Sequence, residues 1–495
     1  MKIGGAFGVA AAFLAWAACA PAMAAPGAPL DEALRTIRQT YDRGDYSAAL
    51  SMARHTLDDR SNPPSGDALM ELNNVIVDCE YRAKDMAKMY RDAMRATASE
   101  PSSIYVWRMR LGSEYNSKHY DAALTTITLM AQSHRAALNA TPIRLFDALH
   151  ALMKNAGDRD TDFRMLKILN DAYQPIAPFA EVEDLRLAYA RQLYDANDKA
   201  AAVNLINGIQ TFSGLVEVST DPDLRALQDP KVNLQLAAER QLVEDQITLS
   251  QHPDILEGVT RVAGDLRRLG RYQDALAVLE KVRPRIGTPN GFSDRDYQQG
   301  SWWEGLATTY VALGDYDHAI ESYRAGIGSG EFGQRNVSQV LDSALEQMRF
   351  GHYEDALVTL AAAPDKPGER SPYGEMVFHY AHGCAAWLAG HKQDAAKDIA
   401  YVTVHERDGP GNAVALSLCV GDLDAAAAHF IRDLNDPDER AGALEHLADF
   451  LPNAANVPEP PADKVLTQLK ARADVKAAIE KAGGIPSFPF RRDDL

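Results

Sequence analysis

Two histidines three residues apart share one face of a helix, and a cysteine two positions further on adds a soft ligand. The run His379-x-x-His382-x-Cys384, with His391 close behind, has the residue types and spacing to hold zinc or another transition metal. A metal-dependent hydrolase would be the chemistry to expect from such a site. Other catalytic signatures are missing from the 495 residues. There is no His-Glu-x-x-His, no Gly-x-Ser-x-Gly, no Gly-x-x-x-x-Gly-Lys-Ser/Thr, no Cys-x-x-Cys and no Cys-x-x-Cys-His. His379 and His382 fit a plainer role equally well, hydrogen-bonded between packed helices. That is the expectation here, with no metal, no cofactor and no enzymatic activity.

The elements that position these residues are written as a recurring stretch. GDYDHAIESYR at 314–324 returns as GDYSAALSMAR at 44–54, GRYQDALAVLE at 270–280 and GHYEDALVTLA at 351–361. Upstream of the first stretch, Trp303, Leu306, Ala307 and Tyr310 fall three to four apart and line one face of a helix. Ala319 and Tyr323, four apart, line a face of the next. Between them Gly314 can end the first helix in the left-handed conformation, and Asp315 can cap the second. Ala319 is small enough to let two helices approach closely. The stretch is a packing instruction.

The pattern Trp303-x-x-Leu306-Ala307-x-x-Tyr310 followed by Ala319-x-x-x-Tyr323 resembles the tetratricopeptide repeat. Looser relatives of it occur at Val259 to Leu279, Val340 to Leu360, His379 to Ile399 and Gly421 to Phe430. In the first half they occur at Gly44 to Ala49 and Trp107 to Ile127, with weaker units marked by Ala87 and Ala202. Anchor alanines 275, 319, 356, 395 and 426 are spaced 44, 37, 39 and 31 residues apart, so the connecting loops vary in length. The resemblance covers roughly 30–435 and implies an all-α, α-α superhelix, a tetratricopeptide-like solenoid of about ten helix pairs in two segments. One pair cannot bury its apolar face. Stacked pairs bury a continuous one, which is why the stretch is rewritten.

The rhythm lapses twice. Residues 30–213 read as an N-terminal array and 254–451 as a C-terminal array, with 214–250 a linker and capping helix rich in turn signals such as Asp221-Pro222 and Asp229-Pro230. Residues 452–495 read as a proline-rich segment, a terminal helix and a tail. LRALQDPKV at 224–232 and LTQLKARADV at 466–475 look like two copies of one terminating element. The tail from Gly483 is expected to be extended, either packed on the last helices or mobile.

Residues 1–24 form a secretory signal peptide by pattern: Lys2, an apolar run from Ala6 to Ala18, then Pro21-Ala22-Met23-Ala24 before the cleavage site. The apolar run is too short to span a bilayer comfortably, which leaves no transmembrane segment expected in the mature chain. A lipoprotein anchor at Cys19 is the weaker alternative, since Trp16 stands where such signals carry Leu. Export places the protein in a bacterial periplasm. The formal net charge of −18 opposes nucleic acid as a partner. Cys79, Cys384 and Cys419 remain after processing, an odd number, and a Cys384–Cys419 disulfide is open.

In tetratricopeptide arrays the first helix of each pair lines the concave groove. Carried over position by position, the resemblance puts Arg267 and Arg268, then Glu304 and Thr308, then Leu345, Met348 and Arg349, then Tyr380 and Trp387 in a peptide-binding groove. That order runs from charged to apolar and aromatic. The implied function is a scaffold or adaptor holding a protein or peptide partner. The alternatives are an accessory factor of a cell-envelope export or assembly machine, and the hydrolase of His379, His382 and Cys384.

Overall fold

The computed structural model describes residues 28–98, 101–329, 336–363 and 370–494. The signal peptide expected at 1–24, with Cys19, and the final Leu495 lie outside the described residues. The protein is all-α, with one two-stranded parallel sheet near its end. It divides into two compact units after Ala202, eleven residues before the boundary expected from the lapse in rhythm.

The N-terminal unit pairs Ala28–Asp42 with Tyr46–Asp58 (α1, α2), Gly66–Arg82 with Met86–Thr97 (α3, α4) and Ile104–Asn116 with Tyr120–Ser133 (α5, α6). The short Arg135–Ala140 (α7) is followed by Ile143–Ala156 with Arg159–Ala172 (α8, α9) and Glu183–Asp195 with Lys199–Ile206 (α10, α11). The unit ends inside α11.

The C-terminal unit opens with Phe212–Thr220 (α12), Pro222–Arg225 (α13) and Leu234–Gln251 (α14). Five pairs follow: Leu256–Arg268 with Tyr272–Ile286 (α15, α16), Arg295–Leu313 with Tyr316–Ser329 (α17, α18), Val337–Arg349 with Tyr353–Leu360 (α19, α20), Pro372–Ala389 with Lys392–Val404 (α21, α22) and Pro410–Val420 with Leu423–Asn435 (α23, α24). Then come Arg440–Leu447 (α25), the strand Asp449–Leu451 (β1), Asp463–Ala471 (α26), Ala473–Lys481 (α27) and the strand Ser487–Arg491 (β2). Where one terminal helix was expected there are two.

The hairpin between α17 and α18 is made as the repeat stretch dictates. Gly314 takes φ of 75°, and the Asp315 carboxylate accepts from the backbone N–H of His318. The anchor alanines 49, 123, 202, 275, 319, 356, 395 and 426 are completely buried, as close helix contact requires. Ala87 is exposed, a correction to the expected anchor in that unit. Met89 and Ala93 are buried there instead, because α4 begins at Met86 and shifts the phase by two positions. The first helices of the C-terminal pairs pack side by side, α15 on α17, α17 on α19, α19 on α21 and α21 on α23, so they build one continuous face.

Candidate functional site

That face carries several of the residues carried over from the repeat pattern. Arg267 donates to the Gly305 carbonyl at 3.1 Å, which ties α15 to α17. Burial lowers its pKa, with the nearby Asp494 and Glu304 opposing. Arg349, 6% exposed at its side chain, pairs with Glu346 at 3.4 Å on its own helix and donates to Asp493 at 2.8 Å. Burial alone would lower Arg349, yet the Glu346 and Asp493 carboxylates hold it above its ordinary range. Tyr380 is pushed up by burial and by Asp463. Burial raises Glu346 to about 7, and raises Asp342, with Glu304 and Glu346 adding to the effect.

Arg267 and Arg349 therefore lie against the chain's own C-terminus, with Glu304 near Arg267 and Tyr380 near Arg349. Strand β2 lies parallel to β1 with Asp449 opposite Ser487 and Leu451 opposite Arg491. Phe488 and Phe490, both 2% exposed, bury among Phe212, Val216, Ala238 and Ala448. Phe490 meets Phe212 edge-on at 4.9 Å between ring centroids, and Arg268 sits 4.3 Å over that same Phe212 ring. Beyond the strand, Asp493 takes the Arg349 hydrogen bond and Asp494 accepts from the Tyr272 hydroxyl at 2.6 Å. Arg492 pairs with Asp463 at 3.5 Å and donates to the His446 carbonyl at 3.0 Å. The proline-rich segment also crosses this side, where Asn456 donates to the Leu313 carbonyl at 2.8 Å. The tail is extended and packed, and it reaches past the last helices to α12, α14 and α15.

The remaining carried-over residues make contacts within their own helix pairs and core. Met348 is 1% exposed and presents no surface to a ligand, and Leu345 packs partly buried against the same core. Thr308 turns its hydroxyl back to the carbonyls of Glu304 and Gly305. Trp387, in the last turn of α21, is covered by Lys392, whose Nζ lies 3.2 Å from the ring centroid. The apolar end is built by Phe212, Val216 and Ala238, from the stretch around 214–250 that the sequence offers only as a linker and cap. No repeat signature marks those residues; only the alternation Phe488-x-Phe490 hints at their partner.

The two histidines of the cluster are hydrogen-bonded across the helix pair. His379 and His382 each place Nδ1 2.7 Å from one oxygen of the same Asp398 on α22. Cys384 is joined to Cys419 in a disulfide with Cα atoms 5.8 Å apart. A metal reading loses its thiolate to that bond, and the two rings are already turned to a carboxylate that sequence reasoning did not name. Among the described residues no group of three or more His, Cys, Asp or Glu side chains is arranged to hold a metal ion. His391 meets Glu354 at 3.0 Å on the exterior.

The N-terminal unit has a polar cluster on its own first helices that the sequence did not disclose. Tyr105 donates to Asp78 at 2.7 Å, Arg82 pairs with the same carboxylate at 2.5 Å, and Tyr41 bonds it as well. Arg82 lies 4.7 Å over the Tyr46 ring. Burial and Asp78 together raise Tyr41 and Tyr105. No described helix is long and apolar enough to cross a membrane.

The tetratricopeptide-repeat family profile matches residues 303–329, which is α18 and the second half of α17. No curated protein matches the chain. Among solved structures, a tetratricopeptide repeat protein from Parabacteroides merdae is 12% identical, with 62% of this chain and 95% of that one covered at a TM-score of 0.30. The apo form of the quorum sensor NprR from B. thuringiensis is 11% identical, with 89% and 99% covered at 0.33. The Rap protein complexed with Competence and Sporulation Factor is 12% identical, with 78% and 100% covered at 0.29. Likenesses this loose carry no argument about function.

Proposed function

We propose, from the premise that this chain is a tetratricopeptide-repeat protein, that it is an exported scaffold whose C-terminal unit holds a protein or peptide partner on its inner face. One observation carries the reading. Arg349 of a first helix, Tyr272 and the Phe212–Val216–Ala238 cluster grip an extended polypeptide segment through carboxylate pairing and aromatic burial, with Arg267, Glu304 and Tyr380 beside it. A surface of this construction binds peptide by the same physics whichever chain supplies it. The Cys384–Cys419 disulfide favours an oxidising compartment and so supports export to the periplasm. The strongly negative net charge favours a protein over a nucleic acid as the thing held.

The test is site-specific cross-linking in intact cells. A photo-activatable residue at Glu304, on the inner face, is expected to capture a defined partner. The same residue at Val358 or Val404, which are 72% and 79% exposed on α20 and α22, is expected to capture none. Capture from the outer positions alone would remove the reading. The finer proposal, an accessory role in a cell-envelope export or assembly machine, requires the captured protein to be a component of such a machine.

A further inference from the structure

The tail has the properties of a ligand that happens to be covalently attached. Two consecutive glycines, Gly483 and Gly484, both in the left-handed region at φ of 101° and 81°, stand between α27 and the strand. Such a pair lets the chain swing without steric cost. The strand itself is half of a two-stranded sheet, an arrangement too small to be stable alone. Its apolar hold is confined to Phe488 and Phe490. Its polar hold is crowded: Asp493 and Asp494 join Asp463 and Glu346 around Arg267, Arg349 and Arg492. Burial raises both Asp463 and Asp494 and the neighbouring Asp493 adds to each, while the arginines oppose the shift. Gly483 is steadied from the other end of the unit, where Arg225 donates to its carbonyl at 2.7 Å.

We infer that segment 487–494 is a displaceable occupant of the inner face, and that the partner it gives way to is an extended peptide with two aromatic side chains two residues apart and paired acids three to four residues after the second. The aromatic pair would enter the Phe212–Val216–Ala238 pocket, and the acids would reach Arg349 and Tyr272. This inference rests on the scaffold reading and adds the ligand's chemistry and its regulation. While the tail is seated, the face is closed to a competitor.

A fluorescent peptide of sequence IPSFPFRRDDL, residues 485–495 of this chain, tests it against the full-length protein in its unaltered and tail-weakened forms. The double substitution Asp493→Ala, Asp494→Ala removes the tail's bonds to Arg349 and Tyr272 and leaves both phenylalanines and Arg492 unsubstituted. The tail-weakened protein is expected to bind the peptide about tenfold more tightly than the unaltered one, as releasing an occupant that holds the site nine-tenths of the time requires. Adding Arg349→Ala is expected to abolish that gain, as is replacing both peptide phenylalanines by alanine. Hydrogen exchange gives a second readout that needs no variant: residues 487–491 should exchange faster than α26 and α27. Equal peptide binding by the two proteins, or strand exchange only at the rate of global unfolding, would make the tail a permanent cap and overturn the proposal. Cross-linking from Glu304 with the strand still protected would then leave the scaffold reading standing by itself.

Discussion

Asp398 receives His379 on one oxygen and His382 on the other, each at 2.7 Å, with its own side chain only 6% exposed. Burial would raise its pKa, but the two hydrogen bonds outweigh burial and hold the carboxyl below the ordinary range. The same bond to Asp398 raises His382. A histidine raised in the folded state stabilises fully below its unfolded value, about 6.5, and loses that contribution as pH climbs through the raised native value. Asp398→Asn is therefore expected to cost about 1–3 kcal/mol near pH 6 and measurably less near pH 8, read from urea unfolding at the two pH values. An equal loss at both would show that His382 carries no charge-dependent share. The histidines were legible in the sequence as groups hydrogen-bonded between helices, because they occupy the positions of Trp303 and Leu306 in the clearest repeat, although they stay partly exposed. Asp398 was not, since it lies sixteen residues past His382 on the facing helix and no local spacing links it to the pair.

The hairpin turns explain why the C-terminal repeats could be read and the N-terminal ones only faintly. Gly270, Gly314, Gly351, Gly390 and Gly421 all take left-handed φ at the turn, and each announces itself in the sequence. At the equivalent turns after α3, α5 and α10 the left-handed residues are Lys84, Lys118 and Asn197, at φ of 59°, 56° and 65°. The backbone is the same; the signature residue is not. Aspartates still cap two of the three next helices, Asp85 accepting from Lys88 N–H and Asp198 from Ala201 N–H, but an aspartate by itself marks too many turns to reveal a repeat. A lysine in the left-handed region costs roughly 1–2 kcal/mol, and glycine's extra freedom in the unfolded chain takes back about 0.5–1 of what relief would return. Lys84→Gly and Lys118→Gly should each raise the stability of the N-terminal unit by roughly 0.5 kcal/mol, checked by chemical denaturation. Asn197→Gly should gain less, because asparagine tolerates this conformation better. Destabilisation by either lysine substitution would mean that the side chain contributes contacts outweighing the strain.

Ordinary helical repeats touch only their sequence neighbours, so a stack can fray from either end. The C-terminal unit is tied against that in two ways. Its last strand returns to its first helices through Phe212 and Phe490, and Arg225 holds Gly483 across 258 residues of chain. Within the stack, the disulfide joins α21 to α23 across 35 residues. Cys79, buried in the N-terminal unit, is the free cysteine among the described residues, so that unit has no cross-link to lose. Closing a loop of that length removes unfolded-state entropy equivalent to about 3–4 kcal/mol near 25 °C. Reductant should therefore act on one unit alone. In hydrogen exchange followed by peptide mapping, segments from 337–363 and 370–435 are expected to lose protection by an amount matching that figure, and segments from 28–98 and 101–172 to keep theirs. The double substitution Cys384→Ala, Cys419→Ala should reproduce the reduced pattern without reductant. Protection lost equally in both units would mean that their stabilities are not separable, and protection lost in neither would mean that the packing of α21 on α23 holds the fold unaided.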